Sequence, residues 1–69
     1  MGENVNEADF LALLNNNGTL IIEDSVNTRL FKLIDSQRIY YKKVFKSTNQ
    51  YYESILDLED AIVLYNLFN

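Results

Sequence analysis

The apolar residues of the chain follow two different periods, one typical of helices and one typical of strands. Near the start they fall three and four residues apart, at Phe10, Leu13 and Leu14. This spacing predicts a short helix over residues 7–15. Asn6 suits the N-cap, and the asparagine run before Gly18 suits the C-terminal stop. A hairpin turn at Asn17-Gly18 is the alternative, but the residues before it do not alternate as a strand requires.

The middle of the chain consists of short runs rich in β-branched and aromatic residues. Residues 19–23 predict a first strand, and residues 24–27 have the composition of a turn. Two longer strands are expected near 28–35 and 38–46. The tyrosine-rich run 51–55 predicts a fourth strand, so we expect an antiparallel sheet of three to four strands.

The register of the central hairpin depends on the turn at Ser36-Gln37. A two-residue turn would pair Leu33 with Tyr40, Phe31 with Lys42 and Arg29 with Val44. Ser-Gln fits the favoured primed turns poorly, so a shift of the register by one residue stays open.

The last apolar stripe predicts a helix that runs through residue 68. Its members recur at helical spacing: Leu58, Ala61, Ile62, Tyr65 and Phe68. Asp57 is the expected N-cap, and Ser54 is a rival cap one turn earlier. Leu64 and Leu67 widen the stripe beyond what a one-sided surface helix needs. This helix is therefore expected to be covered on more than one side.

Together these elements predict a small α+β fold, in which an antiparallel three- to four-stranded sheet carries a short N-terminal helix and a C-terminal amphipathic helix. A chain of 69 residues allows a single domain, residues 1–69, in which residues 1–5 are expected to be disordered. In chains this short the gain from apolar burial and the cost in chain entropy nearly cancel. This balance favours dimerisation or docking on a partner.

The composition excludes most catalytic chemistry. The chain has no cysteine and no histidine, so it lacks disulfides, the commonest general base and the commonest transition-metal ligands. Its two glycines form no phosphate-binding loop, and no catalytic triad can be assembled. We therefore expect a protein that is not an enzyme and that uses no metal or cofactor. With no signal segment and no apolar run of ~20 residues, a cytoplasmic location in the source or host cell is expected.

Charge is segregated along the sequence. All six basic residues lie within residues 29–46 together with one acid, whereas the flanking segments hold nine acids and no base. Within this hairpin, four side chains share one strand face and combine cations with an aromatic ring: Arg38, Tyr40, Lys42 and Lys46. Such a face suits contact with a nucleic-acid backbone and its bases. The simpler interpretation is that the hairpin balances the acidic segments within the molecule.

The order of strands and final helix over residues 28–68 resembles that of the three-stranded-sheet-plus-helix DNA-binding domains of the AP2 and integrase-arm type. This resemblance implies nucleic-acid binding by the basic hairpin, 29–46. The formal net charge of −4 counts against it, because the long-range field of the molecule favours neither DNA nor an anionic membrane.

Apolar and aromatic residues are in excess near the C-terminus. Tyrosine is enriched in interface cores, because it combines a large contact area with a polar tip. Most of these residues are expected in the core, and the rest in an interface with another protein, of unknown identity, or with a second copy. The candidate interface residues are Tyr65, Leu64, Leu67, Phe68 and Tyr51. We expect a homodimer formed through the last helix.

A cluster of acids precedes and begins that helix: Glu53, Asp57, Glu59 and Asp60. It could mimic the phosphates of a nucleic acid and occupy a basic partner. Helix capping and the helix dipole explain Asp57, Glu59 and Asp60 more simply. The sequence therefore predicts a protein–protein interaction module, and its compositional bias suggests an inhibitor or accessory protein of a phage or mobile element. Nucleic-acid binding and acidic mimicry are the alternatives.

Overall fold

Four consecutive strands form one antiparallel sheet, and both helices pack on the same face of it. This computed structural model describes residues 4–14 and 17–68. The elements are α1 (Glu7–Leu14), β1 (Thr19–Glu23), β2 (Asn27–Leu33), β3 (Arg38–Phe45), β4 (Tyr51–Asp57) and α2 (Leu58–Phe68). The strands lie in the order β1-β2-β3-β4. The predicted α+β fold is confirmed, and the sheet has the larger of the two expected strand numbers.

The first helix begins where its capping residue predicts. The Asn6 side-chain oxygen accepts a hydrogen bond from the Asp9 backbone N–H at 2.9 Å, which satisfies one of the free donors of the first turn. The helix ends at Leu14, and residues 15 and 16, where the end of the helix was expected, lie outside the described residues. Asn17 and Gly18 then adopt left-handed backbone angles, with φ of 69° and 66°. Asparagine and glycine tolerate this conformation best, so they suit the tight turn into β1.

The segment before α1 is tied to the far end of the chain. Residues 1–3 of the stretch expected to be disordered lie outside the described residues. Val5 donates its N–H to the Asn66 side-chain oxygen at 2.9 Å and accepts from the Asn66 amide at 3.2 Å. One α2 side chain thus satisfies both backbone groups of Val5.

The predicted register of the central hairpin is wrong by one residue. Leu33 pairs with Ile39, and Phe31 pairs with Tyr41. The loop holds three residues, 35–37, because the Asp35 carboxylate accepts hydrogen bonds from the N–H groups of residues 37 and 38 at 2.9 and 3.0 Å. The observed register also places these four apolar side chains on one face, where Phe31, Ile39 and Tyr41 are buried and Leu33 packs against them partly buried.

The core lies between the helices and the inner face of the sheet, which we define as the face carrying Phe31. Its buried apolar members are Phe10, Leu14, Phe31, Ile39, Tyr41, Leu58 and Ala61. Phe10 of α1 meets Phe31 and Tyr65 edge-to-face, with ring centroids 5.8 and 5.6 Å apart. Such aromatic pairs contribute roughly 0.5–1.5 kcal/mol each beyond their buried area. Phe10 therefore joins α1, the sheet and α2.

The last helix is covered by α1 and by the sheet, and Leu64 beside the main stripe also packs against the core. Leu58 and Ala61 are buried, and Ile62, Tyr65 and Phe68 pack against the core. At its start, the Leu58 N–H donates to the Gln37 carbonyl oxygen at 2.8 Å, which fixes the junction with β4 against the β2–β3 loop. The helix then contacts β3 and β4, whereas α1 contacts β1, β2 and α2. The part of α2 that carries Val63 and Leu67 is left exposed beside β4.

Candidate interaction surface

An apolar groove runs between α2 and the inner face of β3 and β4. It has a volume of about 540 Å³. We call it the β4–α2 groove, and its lining residues are Tyr41, Lys43, Tyr52, Leu56, Asp60, Val63, Leu64, Leu67 and Phe68. Leu67 is 74% exposed, Val63 58% and Tyr52 56%. Single exposed apolar residues are normal on a protein surface, but a contiguous apolar patch is typical of binding surfaces.

The structure brings together three of the five predicted interface residues. Leu64, Leu67 and Phe68 line the β4–α2 groove. Tyr65 is half-buried and faces the core, where its ring meets Phe10. Tyr51 is 60% exposed but lies on the opposite face of the sheet, so the structure does not bring it to the helix.

Six groove residues were absent from the predicted interface, and three of them are apolar or aromatic side chains that are not buried: Tyr52, Leu56 and Val63. Val63 precedes Leu67 by four residues and therefore shares its helix face, which is a signal present in the sequence. Tyr52 and Leu56 could be assigned to the inner face only once the register was known, because neighbouring strand residues point to opposite faces.

Strand β4 forms one edge of the sheet and, among the described residues, pairs on its β3 side only. The Phe45 N–H donates to the Gln50 carbonyl oxygen at 2.8 Å, and the Leu58 N–H bonds Gln37 in the same ladder. These bonds fix the phase of the ladder: the backbone groups of residues 52, 54 and 56 point to β3. Those of residues 51, 53 and 55 and the N–H of residue 57 point away from the sheet, beside the groove, whereas the carbonyl oxygen of residue 57 accepts the first hydrogen bond of α2.

The opposite, outer face of the sheet is open among the described residues and mixes apolar with charged side chains. The candidate nucleic-acid contacts come together here. Arg38, Tyr40 and Lys42 alternate along β3 on the face away from the helices. Lys46 follows the end of β3 and reaches the same face through its ion pair with Glu23 of β1. Ile21 and Ile55 on the same face are 61% and 60% exposed. The predicted sharing of a face is thus observed.

Most of these polar groups already have acidic partners. Arg38 pairs with Asp35 at 2.9 Å. Lys46 pairs with Glu23 at 2.7 Å. The Tyr40 hydroxyl donates to Glu53, which raises the pKa of Tyr40 above its ordinary value. The Lys42 ammonium lies 4.8 Å from the centroid of the Tyr51 ring. Charge on this face is therefore largely balanced within the molecule.

A third ion pair lies at the β1–β2 turn. Arg29 bonds the Asp24 carboxylate at 2.8 Å, and its guanidinium stacks 3.9 Å from the centroid of the Phe68 ring. The Asn27 backbone N–H, with Arg29 and the Val26 N–H, lowers the pKa of Asp24 to about 2. The same carboxylate therefore shapes the turn and places Arg29 under the end of α2.

The predicted acidic cluster is divided between two places. Glu53 lies on the outer face in the middle of β4, whereas Glu59 and Asp60 lie in the first turn of α2. Asp57 and Glu59 line a separate hollow of about 760 Å³, together with Glu7. Across residues 4–14 and 17–68, no group of three or more acids is placed to hold a metal ion.

Neither described helix is long and apolar enough to cross a bilayer. A scan of protein-family models and searches of curated proteins and of solved structures find no match to this chain. The surfaces described above are therefore the basis for an assignment of function.

Proposed function

We propose that this protein is a non-enzymatic protein–protein interaction module that self-associates through the β4–α2 groove. The observation that carries the proposal is the run of exposed apolar side chains, Tyr52, Val63 and Leu67, beside an unpaired strand edge. Association would bury these apolar side chains and the unpaired β4 edge in one interface. A cytoplasmic accessory or inhibitory role, of the phage or mobile-element kind, fits a small acidic module of this type.

The experiment compares two matched charge substitutions on opposite faces of the sheet. Leu67→Glu places a carboxylate on the groove side of α2, and Ile21→Glu places one on the outer face at similar exposure. Both sites are exposed in the single chain, so both variants are expected to keep the far-UV circular dichroism of the wild type. Tyr65 and Phe68 are unsuitable for this test, because they pack against the core.

Molar mass is measured by light scattering and sedimentation over a wide concentration range. We expect a dimer for the wild type and for Ile21→Glu. For Leu67→Glu we expect a dissociation constant raised about tenfold or more, which corresponds to about 1.4 kcal/mol. A wild-type monomer at every concentration contradicts the proposal. Loss of the dimer in Ile21→Glu but not in Leu67→Glu would move the interface to the outer face.

Nucleic-acid binding by the outer face is the second candidate. It is supported by the placement of Tyr40 and Lys42 on one open face with Arg38 and Lys46. The ion pairs of Arg38 and Lys46 weaken it, because a phosphate would have to replace a carboxylate that is already in place. The test is a titration with labelled single- and double-stranded oligonucleotides at low and moderate salt. Binding that weakens steeply with salt and is lost in the Lys42→Glu, Lys46→Glu double variant would support it.

A further inference from the structure

We propose that a second copy of this chain pairs with the first along β4, antiparallel and centred on Ser54, so that two four-stranded sheets become one sheet of eight strands. This inference rests on the proposed self-association and specifies its geometry. It follows from the phase of the β3–β4 ladder, the charges along the edge and the position of the groove.

Of the two sheet edges in the described part of the chain, β4 is the longer one and the one that lies beside the apolar groove. Strand β1 has five residues, and α1 packs against it. Strand β4 has seven residues and lies beside the β4–α2 groove. An added strand at β4 would therefore gain main-chain hydrogen bonds and side-chain contacts together.

The ladder phase limits the possible registers. The outward-pointing backbone groups belong to odd-numbered residues, so these residues must pair with each other across the two-fold axis. With the axis at Ser54, Glu53 lies opposite Ile55 of the second copy, and Tyr51 lies opposite Asp57. All four outward-pointing residues then have partners. Because the Asp57 carbonyl of each copy already bonds within α2, this gives about six intermolecular hydrogen bonds.

The neighbouring registers bring like charges into direct opposition. An axis at Glu53 places this residue opposite its own counterpart, and an axis at Ile55 places Glu53 opposite Asp57 of the second copy. Like charges directly opposite each other destabilise a strand pair. More distant registers lose part of the seven-residue overlap. The Ser54-centred register alone keeps the full strand without such a pair.

The same register matches apolar side chains on the inner face. Tyr52 of one copy lies opposite Leu56 of the other, so the two β4–α2 grooves become continuous. A two-fold axis perpendicular to the sheet keeps both α2 helices on the same side. Their exposed side chains, Val63 and Leu67, then lie over the joined strands.

Single-cysteine variants provide the test, because the natural chain has no cysteine. Ser54 belongs to a non-hydrogen-bonded pair across the proposed axis, with Cα atoms about 4.5 Å apart, which is within the range that a disulfide spans. The variants are Ser54→Cys, Glu53→Cys and Ile55→Cys, with Ser25→Cys in the exposed β1–β2 turn as the collision control. Each is oxidised with copper–phenanthroline and analysed on a non-reducing gel, after its fold is checked by circular dichroism.

We expect Ser54→Cys to form covalent dimer at a rate about tenfold or more above Ser25→Cys, because the two thiols are held at high effective concentration. Adding Leu67→Glu should reduce this rate to the control level. Faster cross-linking of Glu53→Cys or Ile55→Cys overturns the Ser54-centred register. A wild-type dimer whose Ser54→Cys variant reacts no faster than the control overturns edge pairing while the proposed self-association stands. A wild-type monomer overturns both.

Discussion

Phe10 is the side chain whose truncation tests most directly how the helices are held on the sheet. It is fully buried and contributes two of the edge-to-face contacts in the core, to Phe31 and Tyr65. Phe10→Leu keeps most of the apolar area but removes both ring contacts, at roughly 1–3 kcal/mol in all. A domain of this length has a total stability of roughly 3–10 kcal/mol. Phe10→Ala would cost about 3–5 kcal/mol and could remove most of that stability.

The assay is urea unfolding at one fixed protein concentration, since self-association would add a concentration-dependent contribution. The five tyrosines and the absence of tryptophan make tyrosine fluorescence a clean probe beside circular dichroism. With a slope of about 1 kcal/mol per molar urea, the midpoint for Phe10→Leu should fall by about 1–3 M. Leu13→Ala on the same helix, at a site 39% exposed, is the control and should change stability far less. The reasoning is refuted if Phe10→Leu unfolds within about 0.5 kcal/mol of the wild type, or if Leu13→Ala costs as much.

Substitutions at three further positions test the polar and backbone contacts. Asn66→Ala should lower the stability by about 1–2 kcal/mol and speed hydrogen exchange at the Val5 amide, because both side-chain bonds to Val5 are lost. Unchanged exchange at Val5 would exclude the contact. Asp24→Asn should lower the melting temperature at pH 7 through loss of the Arg29 pair. The pKa of Asp24 is about 2 in the fold, so its contribution is complete above about pH 4 and is lost as the pH falls towards 2. The difference between variant and wild type should therefore shrink over that range, and a difference independent of pH would contradict the assigned pKa. Gly18→Ala should cost about 1 kcal/mol of stability, because the φ of this residue is positive. The new Cβ would have room, with its nearest neighbouring atom 3.7 Å away, so the cost comes from the backbone conformation. Gly18→Asn should cost less, and equal stability of the alanine variant and the wild type would rule out this strain.

The sequence predicts helices and strands well where neighbouring residues along the chain determine them. β1 agrees at both ends with its predicted range, and β2 and β3 agree within two residues. The cap at Asn6 is confirmed, because its hydrogen bond is local. The Asp35 carboxylate shows the limit: its two backbone bonds lengthen the β2–β3 loop by one residue and shift every pair beyond it. The pattern of hydrophobic residues does not predict the length of this loop, because hydrogen bonds of a polar side chain determine it.

The candidate surface was predicted only in part for a related reason. Helical spacing identifies Leu64 and Leu67 as apolar residues outside the main stripe, but it does not say which side of the helix the sheet leaves open. That depends on where α1 packs, and on contacts as distant in sequence as Val5 with Asn66. Strand alternation required either Tyr51 or Tyr52 to face α2, and the pairing of β4 with β3 places Tyr52 there, since Tyr52 lies opposite Lys43.

A sheet with two free edges must avoid open-ended assembly. Pairing of β1 in one copy with β4 in the next would repeat without closing and build a fibre. A two-fold pairing of β4 with β4 uses the same edge in both copies and leaves only the β1 edges, which are shorter and beside α1. Glu53 and Asp57 oppose the misaligned β4 registers, and Glu23 ends the exposed β1 edge with a charge. In the proposed assembly these three acids would therefore disfavour the wrong pairings, while the Ser54-centred dimer would have no directly opposed like charges.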